Sequence, residues 1–231
     1  MKLPKVLTAL RNALLTATLF IFAENAFAWD NLEVGMTIAF GRYPQTESSE
    51  VKPIEWWVLD VKDNKALLLS WKGLDSVPYN TEYKAVTWKT SSIRQWLNTD
   101  FYNTAFNDSE KSRIAITVLD NPDNHNPLKM NADTPGGGDT RDRIFLLSYV
   151  EAAQYLPGDH ARMLEATPYA VKRGVHLHEH RPLQSSYWWL RSPGRSASSA
   201  TFVYSHGLMS YIGDNVDYGH YAVRPALWVN L

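Results

Sequence analysis

The chain has 231 residues, nine of them tryptophan and none cysteine, with a formal net charge of −1. That balance excludes the broad basic field that gathers nucleic acid, so no nucleic-acid partner is expected. The missing cysteine excludes disulfide stapling, thiolate catalysis and a lipidated N-terminal cysteine, leaving stability to packing, to which indole rings contribute heavily.

Residues 1–28 have the layout of a secretory signal. Lys2, Lys5 and Arg11 make a positive start, Ala13 to Ala23 an apolar stretch, and Ala26-Phe27-Ala28 a small-x-small cleavage site before Trp29. An apolar run of about eleven residues is well short of the roughly 20 a spanning helix needs, so no membrane span is expected after cleavage. The expected location is periplasmic or extracellular. Removing three basic groups and the acidic Glu24 leaves a charge of about −3. The remaining chain, about 200 residues, suffices for one domain burying roughly 70% of its unfolded surface. No composition shift marks a linker, so residues 29–231 are expected to form a single globular domain.

Within that domain, Met36 to Phe40, Ile54 to Val61 and Lys65 to Ser70 are β-prone apolar runs, and polar Lys62-Asp63-Asn64 suits a hairpin turn between the last two. Around Ser92 the period lengthens: Ile93, Trp96 and Leu97 share one helical face, with Ser91 or Ser92 placed to cap it. Asn107 with Glu110, and Ser148 with Glu151, have capping-box spacing. Thr167-Pro168 opens a further short helix that Gly174 can close. Between Leu119 and Arg143 runs a long polar span rich in Asn, Asp, Pro and Gly, a length that marks functional or disordered connections. Strands return at Thr201 to Tyr204 and Leu208 to Ile212, either side of a Ser205-His206-Gly207 turn, and again from Tyr221 to Val229. Strands, helices, then strands is the order of an α+β fold, here with antiparallel sheet, short helices and long loops.

Residues 187–231 concentrate the groups best suited to hold a ligand. Trp188-Trp189, like Trp56-Trp57, is an adjacent pair whose rings point to opposite faces of a strand. One ring of each pair can enter the core while the other is covered or left open for stacking. Arg191, Arg195 and Arg224 offer planar forks to carboxylate, phosphate or hydroxyl groups. Each has a structural alternative, and Arg224 before Pro225 suits an edge strand or a bulge. Tyr204 and His206 stand at the neighbouring turn.

His176, His178 and His180 alternate in HLHEH, so an extended backbone aims all three imidazoles to one side, where zinc or copper can bind. Flanking Arg173 and Arg181 suit an exposed charged connection instead. Asp120, Asp123, Asp133, Asp139 and Asp142 offer oxygens to calcium, but their spacing fits no calcium loop and Asp is an ordinary turn residue. There is no GxSxG turn, HExxH pair or Gly-Lys-Ser/Thr phosphate cradle, and Glu55 beside Trp56 lacks an identifiable partner for acid catalysis. No cofactor follows from these patterns.

Six ordered segments resemble a bacterial exported domain family of unknown function across essentially the whole mature chain. They are FGRYPQ (Phe40 to Gln45), PIEWWVL (Pro53 to Leu59), RQWLN (Arg94 to Asn98), DRIFLLS (Asp142 to Ser148), WWLRSPG (Trp188 to Gly194) and VRPALWVNL (Val223 to Leu231). That family brings no established activity. The Trp-rich start, Gly-turn hairpin and final Val-Arg of the terminal unit carry a looser similarity to the C-type-lectin-like fold that sulfatase-modifying-factor-type and phage-receptor-binding proteins share. This resemblance implies irregular loops on a small antiparallel sheet, with Arg191 to Ser199 and Asp214 to Tyr221 on the binding side. The lectin disulfides and calcium–sugar motifs are missing, which tells against calcium-dependent sugar binding.

The sequence thus points to an exported, noncatalytic ligand-binding or interaction module. Its ligand is expected to be a glycan or another cell-surface molecule, held near Trp188, Trp189, Arg191, Arg195, Tyr204, His206 and Arg224. The alternatives are a metal-dependent hydrolase built on His176, His178 and His180, and a structural envelope protein.

Overall fold

Period-two alternation builds the first sheet of the computed structural model, which describes residues 29–124, 133–180 and 183–231. In β1 (Thr37–Pro44) and β2 (Val51–Lys62), Ile38, Phe40, Ile54, Trp56 and Val58 are buried, while Thr37, Ala39, Glu55 and Trp57 go to the other face. β2 turns into β3 (Lys65–Ser70) through Asp63 and Asn64, both at positive φ, 51° and 57°, as a two-residue hairpin requires. Beyond it come β4 (Asp75–Ser76), α1 (Ser92–Trp96), a π-helical turn (Leu97–Phe101), α2 (Tyr102–Ala105), α3 (Asp108–Arg113), β5 (Thr117–Leu119) and β6 (Thr140–Asp142). Then follow α4 (Tyr149–Tyr155), α5 (Asp159–Arg162), α6 (Pro168–Arg173), β7 (Leu177–His180) and β8 (Leu183–Ser186). The last third holds β9 (Trp188–Pro193), β10 (Ser199–Val203), β11 (Met209–Asn215), β12 (Ala222–Val223) and β13 (Ala226–Asn230).

Local chemistry sets the helix starts. The Ser91 hydroxyl accepts from Arg94 N at the head of α1. Asn107 with Glu110 and Ser148 with Glu151 form reciprocal capping boxes on α3 and α4. Thr167 caps α6, whose first residue is Pro168, and Gly174 ends it at φ 126°.

Two main sheets result, an antiparallel one in the order β1-β2-β3-β13 and a mixed one in the order β11-β10-β9-β12-β4, with β5-β6 and β7-β8 as small pairs. The fold is α+β. The expected terminal strand from Tyr221 to Val229 is in fact two strands: β12 lies beside β9 and β4, and β13 beside β3. Arg224-Pro225 carries the chain from one sheet to the other, and proline, lacking an N–H, interrupts the ladder there. Trp56, Trp88, Trp188, Trp189, Tyr79, Phe101 and Phe145 are fully buried and fill the core. Each contributes several kcal/mol of transfer free energy before entropy is charged against it. Among the described residues no helix is long and apolar enough to cross a membrane.

Candidate functional site: a tryptophan wall over a buried arginine

The terminal unit belongs mostly to the core. β9 is the middle strand of its sheet, and Trp188 and Trp189 are each at 0% exposure. Trp189 packs on Tyr221 and Tyr79, with ring centres 4.5 and 5.9 Å away. Trp188 lies under the Arg224 guanidinium at 5.0 Å and donates from Nε1 to the Arg162 carbonyl. The candidate ligand-binding role of this pair is therefore corrected: of the two readings the sequence left, a covered or an open second ring, the ring is covered. Alternation sends the two rings to opposite faces, and both faces are covered.

Arg191 is corrected in the same way, because it is buried with all five N–H donors in use. Nε donates to Asn121 Oδ1, Nη1 to Leu146 O and Glu151, and Nη2 to Asp120 O and Glu151. It ties the long polar connection and α4 to β9, and the groove of 520 Å³ beside it has no spare guanidinium donor. Arg195 and His206 are exposed on the turns after β9 and β10. Tyr204 is half-buried, edge-on to Tyr187 at 5.4 Å and stacked on His206 at 5.3 Å.

β7 is extended, as one reading of HLHEH requires, but the His176 ring stacks on His220 at 4.0 Å and the His178 ring on Tyr187 at 4.4 Å. The His180 side chain lies outside the described residues. Among the described residues no three His, Asp or Glu side chains form a group able to hold a metal ion. Asp142 is buried and accepts from Trp88 Nε1 and Arg94 Nε, and Asp123 accepts from Gly136 N.

Arg224 differs from the other arginines. The register that pairs Trp57 with Leu69, extended by the bond from Trp71 N to Glu55 O, puts Glu55, Trp57, Leu69 and Trp71 on one sheet face. Residues 160–168 return over that face as a roof. One end is pinned at Gly73, whose N–H donates to Glu165 O and whose carbonyl accepts from Thr167 N. A Cβ at Gly73 would lie 2.7 Å from the Ala222 side chain, so the close approach requires glycine. The other end is held by Arg162, which donates to Gly207 O, Leu156 O and Asp159 Oδ1.

Between face and roof lies a cavity of 280 Å³ lined by Trp57, Trp71, His160, Ala161, Met163, Glu165 and Arg224. Trp71 is 46% exposed and stands edge-on to Trp57, with ring centres 5.8 Å apart. It also lines a second cavity of 570 Å³, which adds Gln45, Lys52, Glu55 and Lys72. Sequence reasoning named Trp57 as half of a pair and missed Trp71, whose signal was the period-two continuation of β3 beyond Leu69.

Arg224 is 3% exposed. Nε donates to Ser70 O at 3.0 Å, whereas Nη1 is buried without a hydrogen-bond partner and no described carboxylate pairs with the side chain. Desolvation alone pulls its pKa well below the ordinary arginine value, to about 9. Burying such a charge costs several kcal/mol, of which the contact with Trp188 recovers about 2 kcal/mol. Glu165, the carboxylate on the lining, is bridged to Lys72 at 3.3 Å. Arg224 and Lys72 against Glu165 leave one positive charge over, with His160 beside them on the lining. The backbone on either side of Arg224 is tied as well: Ser70 N donates to Pro225 O and Leu74 N to Val223 O.

A family model described as "Domain of unknown function (DUF6273)" matches residues 63–231, and the chain belongs to that family. The match takes in Trp71, the roof and Arg224, while Trp57 precedes it. No curated protein and no solved structure matches the chain.

Proposed function

We propose that this member of a family without an assigned activity is an exported, noncatalytic binding module that offers the Trp57–Trp71 wall to a glycan or comparable cell-surface ligand. The observation that carries the proposal is Trp71, a large ring open over nearly half its surface and set between two cavities. An apolar wall with a few polar groups around it is the usual composition of a ligand pocket. The indole supplies a flat surface for a sugar ring. Gln45, Lys52, Glu55 and Lys72 supply donors and acceptors for hydroxyl groups. The signal-like residues 1–28 support an extracytoplasmic ligand.

The test is a panel of immobilised glycans and cell-wall fragments probed with the parent protein, Trp71→Ala and, as a control on another strand, Trp228→Ala. At least one ligand is expected to bind the parent, with tenfold or greater weakening in Trp71→Ala and little change in Trp228→Ala. No binding by the parent, or binding indifferent to Trp71, contradicts the proposal.

A further inference from the structure

We infer that the ligand of the tryptophan wall is a sugar bearing a carboxylate, and that Arg224 receives the carboxylate inside the cavity. The inference rests on the binding reading above and adds the chemical class of the ligand. Its basis is an imbalance: Arg224 lines the cavity almost wholly buried, Nη1 has no partner, and no described carboxylate neutralises it. Buried guanidinium groups are ordinarily paired, as Arg162 with Asp159 and Arg191 with Glu151 are in this same chain.

Charge and shape then select the anion. Nε is committed to Ser70 O, so the donors left are those of the Nη groups, whose fork matches the two oxygens of a carboxylate. Glu165 also faces the cavity but is bridged to Lys72, so one net positive charge remains among these three groups. A carboxylate balances that charge, whereas a phosphate monoester, at about −1.5 to −2, overshoots it. The cavity, at 280 Å³, lies near the lower end of the ~300–1,000 Å³ of ligand pockets, which suits one ring of a glycan with the rest running out across Trp71.

Three carboxylated probes test this: digalacturonate, a hyaluronan tetrasaccharide and N-acetylglucosaminyl-N-acetylmuramate, each set against its methyl ester. Affinities are measured calorimetrically on the parent protein, Arg224→Met, Arg224→Lys and Trp71→Ala, with thermal melts confirming that each variant is folded. At least one acid is expected to bind the parent tenfold or more tightly than its ester. Arg224→Met is expected to erase that preference, Arg224→Lys to keep part of it, and Trp71→Ala to weaken acid and ester together. Equal affinity for acids and esters, or a preference that survives Arg224→Met, overturns the carboxylate assignment. If those ligands still depend on Trp71, the binding reading stands without it. If neither these probes nor the glycan panel binds the parent, both fall.

Discussion

At Arg224 a guanidinium is held out of water with Nη1 unpaired, so its removal acts in two directions. Arg224→Met deletes the buried charge, worth several kcal/mol in favour of the variant, and loses the contact with Trp188, about 2 kcal/mol against it, and the bond to Ser70 O, about 1.5–3 kcal/mol against it. These terms nearly offset, so denaturant titration of the ligand-free proteins at neutral pH is expected to show Arg224→Met within about 2 kcal/mol of its parent. A loss above about 2 kcal/mol would make the guanidinium a structural tie and nothing more.

The same comparison has a pH signature. Arg224 in the folded protein has its pKa lowered by burial to about 9, below the ordinary arginine value. Between those values the unfolded chain holds more protons than the folded one, so the parent's stability rises with pH relative to a variant without the group. The stability of Arg224→Met relative to its parent is therefore constant well below pH 9 and falls as pH climbs through it. His160, Glu165 and Lys72, the other ionisable groups around the cavity, are present in both proteins. A difference that stays flat up to about pH 10.5 contradicts this.

The roof is where a single element decides the site. α5 has four residues, too few to hold itself, and stands because Arg162 binds three partners and the turn at Gly207 packs against it. Gly207 is at φ +90°, and a Cβ there would meet Asp159 O at 1.8 Å. Gly207→Ala is expected to destabilise by about 2–4 kcal/mol, combining backbone strain with displacement of the roof. Gly138→Ala, at φ +73° with open space around it, is expected to cost only about 1 kcal/mol. Equal thermal melts for the two variants would show that the contact with Asp159 does not hold α5.

Elements fixed by neighbours in sequence were legible, and those fixed by distant chain were not. The Asp63-Asn64 hairpin and the boxes at Asn107 and Ser148 follow from turn and cap chemistry within four residues. α5, the two-residue β4 and the division of the last strand at Pro225 depend on partners far away, Gly207, Val223 and Leu69 among them. No local pattern encodes them.

At the level of the whole molecule, the order of strands determines which aromatic groups meet solvent. The sequence marks Trp56-Trp57 and Trp188-Trp189 alike, yet β9 is central and covered on both faces while the outer face of β2 has room for a cavity. Arg191, Arg195 and Arg224 were likewise alike as residue types. Only assembly separates a guanidinium with every donor used from one on an exposed turn and one buried with no counterion among the described residues. Trp71, unpaired in sequence, becomes the widest opening on the wall once β3 is extended past Leu69.

The indole Nε1–H resonances of the nine tryptophans allow the ligand's position to be found directly. Titration of isotope-labelled protein with the carboxylated sugar probes is expected to move the Trp57 and Trp71 signals, leaving Trp88, bonded to buried Asp142, and Trp96 in place. Shifts confined to Trp96 or Trp228, or none at any indole at saturating probe, would contradict a binding site between Trp71 and Arg224.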